Sequence, residues 1–197
     1  MNRRPLVLPA ALAVCGAAVA LTLWFDGEEP EPPRRLCFGT LDERTAGLVD
    51  DGKGERVDIE EFERKGQGDH AIFRSCLAQR VDADSGTARG VYSLITEDTK
   101  ALPGPPKGAV PVDGGPQLVW ASPTEAVAQL PAGCPRRLGS TAPYVTVTLK
   151  VSTQVERELE QIGVADRQAA LRDAAAVVRE SATNLARSHG CAEGPAG

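Results

Sequence analysis

Residues 143–151, Pro143-Tyr-Val-Thr-Val-Thr-Leu-Lys-Val151, alternate without a break, placing Val145, Val147, Leu149 and Val151 on one face and Thr146, Thr148 and Lys150 on the other. A period of two with β-branched residues at most positions predicts a strand that buries one side. That side needs a covering layer. From Val164 to Ser188 the apolar residues Val164, Leu171, Ala175, Val178, Ala182 and Leu185 recur at spacings of 7, 4, 3, 4 and 3, which is one stripe of a long helix. Arg187, His189 and Gly190 end it with cationic residues and a glycine suited to the C′ position.

Upstream, Thr40-Leu41-Asp42-Glu43 reads as a capping box and predicts a short helix over 41–50, stopped by Asp50-Asp51-Gly52. Residues 55–64, 71–81, 89–96 and 117–121 are rich in β-formers and read as strands, with Asp82 to Gly86 turning the second into the third. Residues 102–116 hold five prolines and four glycines and predict an irregular surface loop. The expected fold is therefore α+β, a mostly antiparallel sheet of about four to five strands with one long C-terminal and one short N-terminal helix. No internal repeat is present.

Residues 6–25 (LVLPAALAVCGAAVALTLWF) carry no charge, and 20 helical residues span about 30 Å, the thickness of a bilayer core. Arg3 and Arg4 precede the run and Asp26, Glu28, Glu29 and Glu31 follow it, so the positive-inside bias predicts a signal-anchor with its tail in the cytoplasm. The competing reading is a secretory signal cleaved after Ala20, at Ala18-Val19-Ala20. Cleavage there leaves Leu21 to Phe25 as an exposed apolar start, which favours the anchor. The resulting organisation is a cytoplasmic n-region (1–5), a transmembrane segment (6–25), an acidic proline-rich linker (26–35), an extracytoplasmic domain (36–192) and a disordered tail (193–197). The lipid bilayer is the partner implied for residues 6–25.

Beyond the anchor, 20 basic residues face 27 acidic ones, which disfavours nucleic-acid binding. Only eight aromatic residues exist, so the core must be built from Val, Leu and Ala. Four cysteines remain on the exported side, Cys37, Cys76, Cys134 and Cys191. In an oxidising compartment an even number implies two disulfides, with three pairings open. Cys37 with Cys191 and Cys76 with Cys134 is the pairing slightly preferred, because it ties the domain's ends together. No C-x-x-C pair occurs, so no metal site is expected.

Candidate chemistry is sparse. His189 lies at the helix end and reads as a capping residue, and His70 follows Asp69 in a Gly-rich turn with no G-x-S-x-G elbow nearby. Asp82-x-Asp84-x-Gly86 resembles the start of a calcium loop, yet Gly86, Thr87 and Ser93 stand where a third ligand, Gly and Glu belong, so a hairpin turn is expected. The run Asp50 to Glu63 holds seven carboxylates against Lys53 and Arg56, which reads as a solvated face. Paired-carboxylate hydrolysis there lacks sugar-stacking aromatics, Trp120 being the one tryptophan outside the anchor. No phosphate loop or dinucleotide fingerprint is present, and no cofactor is expected.

Cys37-Phe38-Gly39-Thr40-Leu41, Leu130-Pro131-Ala132-Gly133-Cys134 and the closing Gly190-Cys191 together resemble a group of actinobacterial membrane-anchored or secreted proteins of unknown function, many with Trp at the position of Phe38. The abundance of Arg and Ala over Lys, Asn and Ile agrees with a GC-rich genome. The resemblance implies the topology and the disulfides and carries no catalytic residues. The functional expectation is a non-enzymatic binding module of the cell envelope with a protein or envelope partner. Its competitors are a secreted hydrolase using His70 or a carboxylate pair, and a structural accessory subunit of a membrane complex.

Overall fold

The segment 144–151, expected to bury one side, lies at the centre of the sheet and buries Thr146 and Thr148 of its other face as well. The computed structural model describes residues 34–54, 56–67, 70–112, 119–159 and 163–191. The expected anchor, the linker up to residue 33 and the tail at 193–197 lie outside the described residues. Among the described residues, no helix is long and apolar enough to cross a membrane.

The chain opens with a small hairpin, β1 (Arg35–Leu36) and β2 (Leu41–Asp42), then α1 (Glu43–Ala46) and a 3-10 turn over Gly47–Val49. Three long strands follow, β3 (Arg56–Gln67), β4 (His70–Val81) and β5 (Ala88–Thr99). After a loop come β6 (Val110–Pro111), β7 (Val119–Ala121), β8 (Glu125–Gln129), α2 (Cys134–Arg137), β9 (Tyr144–Val151), α3 (Thr153–Leu159) and α4 (Val164–Ser188). The main sheet has seven strands in the order β3-β4-β5-β9-β8-β7-β6, every neighbouring pair antiparallel. The α+β class and the long C-terminal helix are as expected, while the strand count exceeds the expected four to five.

Strand β8 is what alternation in Val and Ile could not reveal. Its sequence, Glu-Ala-Val-Ala-Gln, is poor in β-formers, but Ala126 and Ala128 are fully buried and let α4 approach closely. Cross-strand register puts Cys76, Leu94, Leu149, Ala126 and Ala121 on the same face as Val145 and Val147. These residues share one core cluster with Ala174, Ala175, Val177, Val178, Ala182 and Leu185 of α4. The expected stripe is thus correct from Leu171 onward, whereas Val164 is 78% exposed because the first two turns of α4 extend beyond the sheet. The C-terminus matches expectation: Gly190 adopts φ +62°, and the Cys191 amide donates to Ala186 O at 2.9 Å, closing the helix in a Schellman-type turn.

The expected helix over 41–50 is broken into three pieces. Leu41 is fully buried in the β1–β2 hairpin, and Asp42 rather than Thr40 is the N-cap, its carboxylate accepting from the Thr45 amide at 2.7 Å. Thr40 instead donates its hydroxyl to Cys37 O at 2.7 Å and receives the Ser181 hydroxyl of α4 at 2.8 Å. Asn184 donates to Thr40 O at 2.9 Å, and Glu180 accepts from the Asp42 amide at 3.1 Å. The hairpin is therefore fastened to one polar edge of α4.

The disulfides are Cys37–Cys76 and Cys134–Cys191, with Cα separations of 5.2 and 5.1 Å, and the pairing slightly preferred from sequence is not the one formed. Cys37, Phe38 and Gly39 take successive left-handed conformations (φ +54°, +58° and +74°), which fold the 37–40 turn back over β4 and aim Cys37 at Cys76. The Glu61 carboxylate accepts from the Phe38 amide at 2.6 Å and steadies this turn. Cys134 begins α2 beside the end of α4, so its near neighbour is Cys191.

Candidate functional site

Hairpin geometry explains the first feature of the site. A turn over 82–87 makes Arg80 pair directly with Arg89 across β4 and β5, and two like charges facing each other are unfavourable unless counter-ions are supplied. Asp50 and Asp51, ending the 3-10 turn, supply them. Asp50 holds Arg80 through two contacts, one of them Nε to Oδ1 at 2.9 Å, and Asp51 holds Arg89 through two, one of them Nη2 to Oδ1 at 2.8 Å. Arg89 also donates to Lys53 O at 2.8 Å, and Arg80 to Gly54 O at 3.1 Å. The hydrogen bond from Arg89 holds the Asp51 carboxyl below its ordinary value against the opposing effect of burial. Donation to Asp50 raises the pKa of Arg80, and donation to Asp51 raises that of Arg89.

The Asp50–Arg80 pair lines a cleft of about 530 Å³ between the β1–α1 segment and the β3–β4–β5 end of the sheet. Its apolar lining comes from Leu36, Val57, Ile59, Ala78, Val91 and Tyr92. A β-bulge creates this surface. Ala78 pairs with Tyr92 and Gln79 with Gly90, which leaves Val91 unmatched, and both Val91 and Tyr92 are buried along the same wall. Tyr92 is 3% exposed, and its hydroxyl has no hydrogen-bond partner among the described residues. Burial pushes its pKa up to about 12, with the charge of Asp50 adding to the effect. A second pocket of about 290 Å³ lies under α3, lined by Val49, Val151, Val155 and Leu159 among others.

From Asp58 to Glu63 the acidic residues are exposed, as expected of a solvated face, and of the described carboxylates in the run only Asp50 and Asp51 are drawn partly inward. Besides Asp50 and Asp51, Asp58 meets Arg56 at 3.0 Å, Glu63 meets Arg74 at 2.7 Å, and Glu60 accepts from Gln79 at 3.3 Å. Asp50 and Asp58 both line the cleft. His70 is the first residue of β4, and its side chain lies outside what is described. His189 is the C-cap residue of α4, as expected, and is not part of the cleft. Residues 82–87 form the expected hairpin turn: Asp82 accepts from the Ser85 amide and hydroxyl, both at 2.9 Å, and Gly86 takes φ +65°. Among the described residues, no three His, Cys, Asp or Glu side chains converge to hold a metal ion.

Sequence reasoning missed Arg80, Arg89 and Tyr92. The arginines were findable, since equal spacing about an expected turn places them opposite each other. Tyr92 shares the buried face of Leu94, Thr96 and Asp98, and the residue that the bulge turns inward beside it is Val91. No family model matches the chain, and comparison with curated proteins and with solved structures returned no match.

Proposed function

We propose that the chain is a membrane-tethered extracytoplasmic binding domain of the cell envelope, with the cleft beside Tyr92 as its binding site and no reaction of its own. The observation that carries this reading is the contrast within one lining. Asp50 and Asp58, two of the carboxylates that line the cleft, are each engaged by an arginine, whereas the Tyr92 hydroxyl makes no hydrogen bond among the described residues. Groups engaged in ion pairs are poorly placed to exchange protons, and a donor without a protein partner is available to a ligand. The tether rests on the 20 uncharged residues at 6–25 and the charges on either side. Two disulfides suit an oxidising compartment.

The test is to produce the full chain in a bacterial host and probe intact cells. External protease should remove the domain while leaving a short membrane-bound stub, and the four downstream cysteines should resist alkylation until reductant is added. A soluble cytoplasmic product with free thiols would sink the proposal, as would turnover of ester, phosphoester or glycoside substrates that is lost when Asp50 or Asp58 is replaced by Asn or Ala.

A further inference from the structure

The two edges of the seven-stranded sheet are unlike. β6 is two residues long and contains Pro111, which blunts it against further pairing. β3 runs for 12 residues, holds no proline, and keeps an unshifted register with β4 from Arg56 opposite Val81 to Gln67 opposite His70. The ladder fixes where its remaining main-chain groups point. The Asp82 amide donates to Thr87 O at 3.1 Å across the β4–β5 turn, so even-numbered residues of β4 turn their main chain toward β5 and odd-numbered ones toward β3. Odd residues of β4 face even residues of β3, as Ser75 faces Phe62, which leaves the odd residues of β3 pointing away from the sheet. Among the described residues, the N–H and C=O groups of Val57, Ile59 and Glu61 therefore bond no other backbone and form a row available to an added strand.

A strand laid on this row would run between two chemistries. On one face it meets Asp58 and Glu60, both exposed. On the other it meets Val57, which is 42% exposed, and Ile59, and both line the cleft of about 530 Å³. Side chains alternate between the faces of a strand, so a partner that matches both carries basic residues at one set of alternate positions and apolar residues at the other. The Arg56–Asp58 pair does not stand in the way, because its side chains are 70% and 54% exposed and such a pair exchanges readily for a partner's cation. A second copy of this chain is a poorer match. From Asp58 to Glu63 there are four carboxylates and no cation, and antiparallel pairing of two copies centred there lays this acidic stretch against itself.

We propose that the β3 edge takes an extended peptide segment of a partner protein, paired through Val57, Ile59 and Glu61, with its basic side chains toward Asp58 and Glu60 and its apolar side chains entering the cleft. This assignment rests on the binding reading proposed above and adds to it the class of partner and the way it is held. Pairing makes main-chain hydrogen bonds and forms or breaks no covalent bond.

The full chain in lipid nanodiscs is titrated with a capped heptapeptide of alternating Lys and Val, the same peptide with Glu in place of Lys, and the Lys peptide N-methylated at every residue. Hydrogen exchange is read at single amides, and tyrosine labelled with carbon-13 at Cζ reports on the cleft through Tyr92, the second of the two tyrosine signals being assigned by Tyr144→Phe. The Lys peptide should bind saturably and at least about tenfold more tightly than the Glu peptide, a gap of roughly 1.4 kcal/mol. It should slow exchange of the Val57, Ile59 and Glu61 amides about tenfold or more and shift the Tyr92 signal. The N-methylated peptide, which keeps the charge and loses the donors, should bind at least about tenfold more weakly. Asp58→Lys combined with Glu60→Lys, at exposed positions that tolerate the change, should reverse the preference between the Lys and Glu peptides. Equal affinity of the parent for those two peptides would overturn the basic class of partner. A shift at Tyr92 with the three amides unprotected would overturn strand addition and keep the cleft reading, whereas protection with Tyr92 unmoved would overturn the cleft reading and with it the apolar half of the assignment. Protection that grows with protein concentration before any peptide is added would replace the partner by a second copy. Failure of the Lys peptide to bind would overturn the proposal outright.

Discussion

The Asp98 carboxylate of β5 accepts the hydroxyl of Ser140, 42 residues further along the chain, and the same carboxylate receives the amides of Ala71 at 3.3 Å and Ile72 at 3.1 Å. One side chain that is 3% exposed thus joins the start of β4, the end of β5 and the turn that leads into β9. Burial works to raise its pKa, but the hydrogen bonds from Ser140, Ile72 and Ala71 outweigh it and hold the carboxyl below 3.8.

The sign of the resulting pH dependence is fixed. A carboxyl whose folded pKa is depressed adds stability that is present above its unfolded value, near 3.8, and is lost as pH falls through the folded value. Asp98→Asn should lower stability at pH 7 by about 2 to 4 kcal/mol, because an amide nitrogen cannot replace an acceptor of several donors. Urea midpoints measured from pH 7 down to pH 2 should fall for the parent and fall less for the variant, and identical profiles would remove Asp98 from this role.

The two arginine pairs should be worth far more than the third one near the cleft. Arg89→Met leaves Asp51 without its counter-ion at a site where the carboxylate is 7% exposed, and a loss of about 1.5 to 3 kcal/mol is expected. Arg56→Ala breaks a pair whose side chains are 70% and 54% exposed, and should change stability by less than about 0.5 kcal/mol. A double-mutant cycle between positions 51 and 89 measures the first value, and a coupling near zero would contradict the geometry.

Each disulfide closes a long loop, with sequence separations of 39 and 57. Chain-entropy reasoning assigns about 4 kcal/mol to each, so paired Cys→Ser replacements should cost similar amounts. Proteolysis without reduction, followed by mass spectrometry, should recover the Cys37 peptide joined to the Cys76 peptide. Recovery of Cys37 with Cys191 would overturn the pairing.

Along α4, position should decide the cost of truncation. Leu185, 1% exposed in the core, should lose about 2 to 5 kcal/mol as Leu185→Ala, whereas Val164→Ala at 78% exposure should be nearly silent in thermal unfolding.

Elements with a long, regular period were legible. The strand over 144–151 and the helix over 164–188 emerge from periodicity alone, because their burial follows one local rule over many residues. Strand β8 was hidden by alanines, whose small size serves the approach of α4 rather than any strand preference. The segment 40–46 misled because Thr40 and Asp42 are both good caps, and only the burial of Leu41 in a hairpin decides between them. Cysteine pairing depends on which residues meet in space and leaves no local signature. Arg80 and Arg89 lie between these cases, since their opposition follows from a turn that was read correctly.

Cys37 joins Cys76 and Cys134 joins Cys191, so the partners are consecutive in chain order and neither loop encloses the other. A polypeptide threaded N-terminus first into an oxidising space presents its first two thiols together before the later pair emerges. Oxidation in order of arrival would give this same connectivity without reshuffling.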